Sequence, residues 1–408
     1  MYKKFLGKWL LFLILFAFSL FMSFKTSFAS FRFFFWVILS MPLVSFVWLA
    51  LVYSGKRLYL ERKITLKIEE DDSLEITLEI RNKSLLPIFD IVFEDYLSCT
   101  YPKERQKFII LDSLRLGSVN KLIYHCFCPQ RGRYDIGPLT AYFFDPLGLF
   151  YFKQTYPVYS ELYVYPRTFT IRNFPALNKG TSPWLGLETS RVSGDDDEFY
   201  GVREYKRGDP FKKIHWMASA RKNQLIVKEY QRQSFFRATI MFNLEKEDNF
   251  GEGKDSVAEY IIKIVASIAK YLINLGVSIE IISHIGEVVH MPFNKGADHL
   301  EEIFRFLTIA QPESRVTLLE LFETFHRDIL EDSSLIVVMT DKNKAYLPAM
   351  LSLGARNVSL IPVVLISSTF LKDSPGPKDI KDYSIDVSEA IKLNPIYIAR
   401  QDNLEEKF

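Results

Sequence analysis

Between Phe199 and Arg232 the chain reads FYGVREYKRGDPFKKIHWMASARKNQLIVKEYQR. Among its lysines and arginines are Arg203, Arg207, Lys212, Lys213 and Arg221. Such a group can gather a phosphate or an acidic peptide, helped by the positive end of a helix starting at Asp209-Pro210. His215, beside Trp216, is a candidate general base, with Asp209 or Glu229 as carboxylate partner in a hydrolytic reaction. The block has no glycine-rich phosphate loop, and no nucleophile or metal-ligand motif adjoins His215. The same residues also suit a structural task. Arg203 or Arg221 can meet Glu229 or Asp209 in a bidentate pair, a latch that fixes how the local helix docks on the domain that follows.

Two further groups carry chemistry. Cys126 and Cys128 stand at i and i+2 in KLIYHCFCP, and Cys99 is the third cysteine of the chain. The C-x-C pair lacks a second pair or matching histidines for a zinc site. It reads as buried thiols on one face of a strand, in a reducing compartment. The segment QRGRYDIGPLTAYFFDPLGLF, 130–150, holds Arg131, Gly132 and Tyr134 in a first turn, and Asp145, Pro146 and Gly148 in a second. It reads as a hairpin with tight loops, with a ligand site as the alternative.

These groups need a frame to position them. At 408 residues and a formal charge of +2, the chain has room for two globular units and no global field that draws it to nucleic acid. Apolar runs cover 9–24 and 33–53. The second has the length that crosses a bilayer as a helix, and the first is near the lower limit. The first also resembles a signal peptide, with Lys3, Lys4 and Lys8 before it and Ser27, Ala29 and Ser30 after it. Lys3, Lys4, Lys8, Lys56, Arg57, Arg62 and Lys63 flank the pair, against Lys25 and Arg32 between. The positive-inside rule then places both ends in the cytoplasm, giving a multi-pass membrane protein with cytoplasmic soluble domains.

From Lys63 apolar residues alternate in ITLKIEE, SLEITLEIRN and IFDIVFED, and strands follow at LIYHCFCP, LTAYFF and ELYVYP. Six or seven short strands with no helix between them predict a small antiparallel, Ig-like β-sandwich over 58–166. Residues 167–236 read as a linker followed by the signature block. From 237 to 408 strand and helix alternate: ATIMFNL, a helix over Asp255–Leu275 closed by Gly276, VSIEIIS, EVVHM, HLEEIFRFL, VTLLELFETFHRDIL, SLIVVMT, AYLPAMLSL and NVSLIPVVLI. This alternation predicts an α/β domain with a mostly parallel sheet. Within the block, a helix from Pro210 to about Arg221 is expected, with Ile214 and Met217 on one face, then a strand LIVKEY.

The motifs GVREYKRGD, IHW, SARKNQL and VKEY resemble the bacterial family known as domain of unknown function 58. QRGRYDIGP and DPLGLF look like its upstream signature, and two N-terminal membrane helices are its usual beginning. The resemblance covers most of the chain and singles out Arg203, Tyr205, Gly208, Asp209, His215, Trp216, Ala220, Arg221 and Glu229. It implies a C-terminal domain like the von Willebrand factor A module, and work beside MoxR-type AAA+ ATPases and transglutaminase-like membrane proteins. It implies no known reaction. That module often binds a divalent ion through Asp-x-Ser-x-Ser after its first strand; here the matching place reads Asn243, Leu244, Glu245, Lys246, Glu247. Asp341 still matches a carboxylate position of that module, but the leading aspartate and both hydroxyls are absent, so the site is degenerate and neither a metal nor another cofactor is expected.

The whole is read as an α+β multi-domain chain, a membrane-anchored, non-enzymatic interaction or scaffold protein. Its expected partner is a MoxR-type ATPase or a cell-envelope complex. A hydrolase using the signature block, and an accessory component of envelope polymer export, are the alternatives.

Overall fold

The computed structural model describes residues 2–25, 28–54, 58–83, 87–175, 177, 190–194, 198–206, 209, 211–232, 237–329, 333–342, 348, 350, 352, 358–371 and 395–408. The chain divides into two compact units, Met1–Tyr165 and Pro166–Phe408.

The first unit opens with helices α1 (Tyr2–Lys25) and α2 (Ala29–Ser54). Both are long and apolar enough to cross a membrane by length and composition. Ten strands follow: β1 (Leu58–Ile64), β2 (Lys67–Glu69), β3 (Ser73–Asn82), β4 (Ile88–Tyr96), β5 (Gln106–Leu114), β6 (Val119–Phe127), β7 (Gly132–Ile136), β8 (Leu139–Phe144), β9 (Tyr151–Tyr156) and β10 (Ser160–Tyr165). They form sheets of order β1-β3-β6, β2-β10-β7 and β5-β4-β8-β9. Strand β3 shows why the alternating pattern holds: Leu74, Ile76, Leu78 and Ile80 are fully buried, while Glu75 and Arg81 face outward. The antiparallel expectation fails at one pair, because β2 and β10 run parallel. Strands β1, β5 and β9 were not legible. In β5 no residue except Leu114 is fully buried, and in β9 the half-buried face holds Gln154 between Phe152 and Tyr156 while Tyr151 is exposed, so neither shows apolar alternation in sequence.

In the second unit a separate sheet of order β11-β13-β12 is built from β11 (Ser190–Gly194), β12 (Glu198–Glu204) and β13 (Ile226–Arg232). The signature block is therefore part of a folded sheet with an excursion, where the sequence suggested a linker, a helix and the one strand LIVKEY, which is β13. A helix α3 (Trp216–Lys222) lies within that excursion.

The last sheet has order β16-β15-β14-β17-β18-β19, from β14 (Arg237–Asn243), β15 (Ser278–His284), β16 (Val288–Asn294), β17 (Ser334–Thr340), β18 (Ser359–Leu365) and β19 (Ile396–Ile398). All its pairs are parallel except β15 with β16. Its helices are α4 (Val257–Asn274), α5 (Ala297–Ile309), α6 (Leu318–Phe325) and the short α7 (Leu404–Lys407). In α4 the residues Val257, Ile261, Ile264, Val265, Ile268 and Leu272 are all buried, as their spacing predicts. The helix starts two residues later than expected because Ser256 is its N-cap, accepting the Glu259 N–H. Helix α6 is shorter than VTLLELFETFHRDIL suggests. Its capping box is Thr317 and Glu320, and after Phe325 the chain turns so that Ile329 returns to the core. Of the expected helix at AYLPAMLSL, Pro348, Met350 and Ser352 are described and are helical; the other residues of that segment lie outside the described residues.

Candidate functional site

Strand β12 pairs antiparallel with β13, bringing Arg203 opposite Val227. From there the Arg203 guanidinium reaches Asp209 through two parallel bonds, Nη1 to Oδ2 at 2.7 Å and Nη2 to Oδ1 at 2.8 Å. The Lys206 N–H also donates to Asp209 Oδ2, at 2.8 Å. The Arg203 hydrogen bonds, with Lys206 adding to them, hold the Asp209 carboxyl down at about 2. Of the pairings open in the sequence, the structure makes Arg203 with Asp209. Arg221 is exposed, the Glu229 side chain lies outside the described residues, and so does Gly208.

Asp209 is thus turned back towards its own strand, and the continuous helix expected after it does not form. A single 3-10 turn covers Phe211–Lys213, after which Ile214 bridges to Val227 and the His215 N–H donates to the Ile226 carbonyl at 2.8 Å. These bonds to β13 draw the backbone into the sheet, and α3 can start only beyond them. Its N-cap is His215, whose Nδ1 accepts the Ala218 N–H at 3.2 Å. Ser219 ties the helix down by accepting the Ile226 N–H at 2.9 Å and donating to the His215 carbonyl at 3.0 Å. The proposed base and the proposed carboxylate are spent separately: His215 on a cap, Asp209 on Arg203.

Ile214 and Met217 do not share a buried face. Ile214 is buried, whereas Met217 is 70% exposed, Trp216 66% and Phe211 69%. Phe211 stacks on Tyr205 with ring centroids 6.0 Å apart. Lys212, Ala220, Arg221 and Lys222 are exposed around them. The block presents apolar rings and cations on a framework of internal hydrogen bonds.

The second turn motif has a role the sequence did not reveal. Asp145 is fully buried and accepts the Leu147 N–H at 3.1 Å, the Phe150 N–H at 2.6 Å and the Ser45 hydroxyl of α2. The loop then receives α1: Trp9 Nε1 donates to the Leu149 carbonyl at 2.8 Å and Lys8 Nζ to the Leu147 carbonyl at 3.3 Å. Trp9 and Phe46 both set edge-on against Phe150, at 5.6 Å each. Gly148 suits its left-handed φ of +67°, and its missing Cβ leaves room for the end of the Lys8 side chain. Pro146 completes the turn, so DPLGLF is the seat of the helical hairpin on the strands of the first unit. In the first turn Arg131 is buried, and Tyr134 donates to the Gln130 carbonyl at 3.0 Å. Gly132 leaves room for the Tyr134 ring, which a Cβ would meet at 3.2 Å.

At the C-terminal end of β14, Asn243 Nδ2 donates to Glu245 Oε1 at 3.1 Å, and the same oxygen accepts the Leu318 N–H at 2.9 Å. Glu245 therefore serves as an acceptor at the start of α6, with burial pushing its carboxyl above the ordinary value. Asp341 accepts the Ser367 N–H at 2.9 Å and the Ser367 hydroxyl. The cavity among Asn243, Glu245, Asp248 and Thr340 measures about 30 Å³, the scale of a single water.

Two clusters were missed. Arg62 of β1 reaches Asp95 of β4 through Nε and Nη2, and Tyr124 of β6 donates to the same carboxylate. Arg62 Nη1 adds the carbonyls of Ile136 and Val158, both at 2.9 Å. The other cluster is sulfur: Cys99 Sγ lies 3.4 Å from Cys126 Sγ, which lies 4.0 Å from Cys128 Sγ. Cys126 was read as half of a pair; nothing in its spacing announced a partner 27 residues away.

Comparison with known proteins finds a family to which the signature block is similar. Residues 201–370 match the model described as "Protein of unknown function DUF58". Over this segment the chain is similar to that family. It is also 24% identical over 284 residues to "Uncharacterized protein YeaD" of Bacillus subtilis (strain 168), covering 66% of this chain and 67% of that protein. Among solved structures, a CARDB domain from Pyrococcus furiosus matches with a TM-score of 0.20 and 14% identity, over 26% of this chain and 92% of its own. Proximal thread matrix protein 1 from the mussel byssus matches with a TM-score of 0.25 and 12% identity, over 32% and 37%. The DUF58 segment contains the Arg203–Asp209 pair, α3 and the parallel-rich sheet through β18, while DPLGLF and the cysteines precede it.

Proposed function

We propose that this protein is a membrane-anchored docking protein, held by α1 and α2, that presents its signature block to a protein partner. The observation that carries the reading is the exposure of Phe211, Trp216 and Met217 on a block otherwise fixed by internal bonds. Solvent-facing rings of this size on a braced segment favour an interface. The cations Lys212, Arg221 and Lys222 beside them suit a partner surface that is apolar at its centre and acidic at its rim.

The partner class is taken from the family resemblance, a MoxR-type AAA+ ATPase or a transglutaminase-like membrane protein. The C-terminal sheet is read as a von Willebrand factor A-like module. Numbered from β14, its strand order is 3-2-1-4-5-6 with one antiparallel edge, a doubly wound arrangement that supports this reading. The lysines and arginines flanking α1 and α2 support cytoplasmic soluble domains.

The test is photocrosslinking in native membranes from a photoreactive residue at Phe211. Adducts with an ATPase or envelope protein that vanish in a Trp216→Ala, Met217→Ala variant are expected. Adducts with lipid alone, from folded protein, would sink the proposal.

A further inference from the structure

Cys99 follows β4, in the four-stranded sheet, whereas Cys126 lies on β6 and Cys128 just after it, in the sheet of β1, β3 and β6. The closure of the sandwich brings them together. All three are free thiols, buried at 2%, 7% and 0% exposure, and their sulfurs lie within 4.8 Å of one another. Cys126 is locked by its pairing with Leu74, and Cys128 by backbone bonds with the Asp71–Asp72 turn at 3.0 and 3.1 Å. Two of the three ligand positions are therefore fixed by the sheet and its turn.

Three sulfurs around one ion at a metal–sulfur distance of about 2.3 Å would stand about 4 Å apart in a trigonal plane. The observed separations of 3.4 and 4.0 Å, with the third inside 4.8 Å, bracket that spacing, and shifts of under about 1 Å would meet it. Among the described residues no histidine, aspartate or glutamate joins the cluster. Zinc in closed sites takes four ligands, while soft thiolates without a fourth donor select a soft monovalent ion. We propose that Cys99, Cys126 and Cys128 form a closed three-sulfur site for a thiophilic d10 cation, Cu(I) in preference to Zn(II). Binding exchanges thiol protons for the cation with no change of oxidation state, and links the two sheets at one end of the sandwich.

The experiment uses the full chain in detergent, reduced and metal-free under anaerobic conditions. Cu(I) is titrated to equilibrium against a chromophoric Cu(I) chelator, with Zn(II) in a parallel arm. One Cu(I) per chain is expected, with thiolate-to-copper charge-transfer absorption, protection of all three thiols from alkylation and a rise in Tm. Cys99→Ser should weaken retention at least tenfold. Because that variant can fail to fold, X-ray absorption of the copper-loaded wild type supplies the second measurement, and a first shell of three sulfurs is expected. Fewer sulfurs, preferential retention of Zn(II), unprotected thiols, or a Cys99–Cys126 disulfide persisting under reductant would each overturn the proposal.

Discussion

Arg203 grips Asp209 with both arms of its guanidinium, at 2.7 and 2.8 Å, and so closes the loop between β12 and the 3-10 turn. A lysine keeps the charge but cannot reproduce the fork. Arg203→Lys is expected to loosen the loop, seen as faster amide hydrogen exchange at Lys206 and Asp209, with the α4 amides unchanged. Equal exchange in both proteins would show that the pair does not hold the loop.

The same pair sets a pH dependence. The folded carboxyl of Asp209 is lowered to about 2, below its ordinary 3.8, so its contribution to stability is present above pH 3.8. It is lost as pH falls through about 2. Wild-type and Asp209→Asn proteins should therefore differ in loop protection at neutral pH and converge at the acid end of that window. A difference that grows on acidification would contradict the assignment.

His215 acts on the helix through Nδ1, accepting the Ala218 N–H. Its removal should cost about 1 kcal/mol, the usual value of an N-cap. His215→Asn should restore most of that loss, since asparagine caps well, and should bind the partner normally. If His215→Asn folds with wild-type stability yet abolishes function, the imidazole has a chemical task and the hydrolase reading returns.

Asp145 is the buried acceptor for two backbone N–H groups and for Ser45. Asp145→Ala is expected to destabilise the first unit by roughly 2–3 kcal/mol, the scale of hydrogen bonds to a buried charge. It should also expose the junction of α1 and α2 with the strands of the first unit to protease, whereas Ser45→Ala alone should have a smaller effect. Proteolysis at wild-type rate in Asp145→Ala would show that the loop does not seat the hairpin.

Arg62 and Asp95 are fully buried side chains facing each other. Asp95→Asn leaves an uncompensated buried guanidinium and should cost about 3–5 kcal/mol, read as a lower denaturation midpoint. Replacing both with apolar residues, Arg62→Met with Asp95→Leu, should cost less than the single change. A double variant less stable than Asp95→Asn would show that the hydrogen bonds to Ile136 and Val158, and not charge balance, dominate.

Local pattern was enough for the elements whose burial repeats along the chain. Leu74, Ile76, Leu78 and Ile80 spell β3, and Val257 to Leu272 spell α4, because the period of apolar residues equals the period of the backbone. The sequence alone also carried the family motifs, the two apolar helices and the short list that contained Arg203 with Asp209. It could not choose within that list, since the choice depends on β12 pairing with β13. Nor could it foresee that Ile214 would join the sheet and delay α3, that Asp145 would seat α1 and α2, or that Arg62, Asp95 and Tyr124 would meet. Cys99 joins Cys126 and Cys128 only when two sheets close on one core. Side-chain clusters of this kind are set by contacts between residues distant in sequence, and a one-dimensional pattern carries no record of that distance until the tertiary structure removes it.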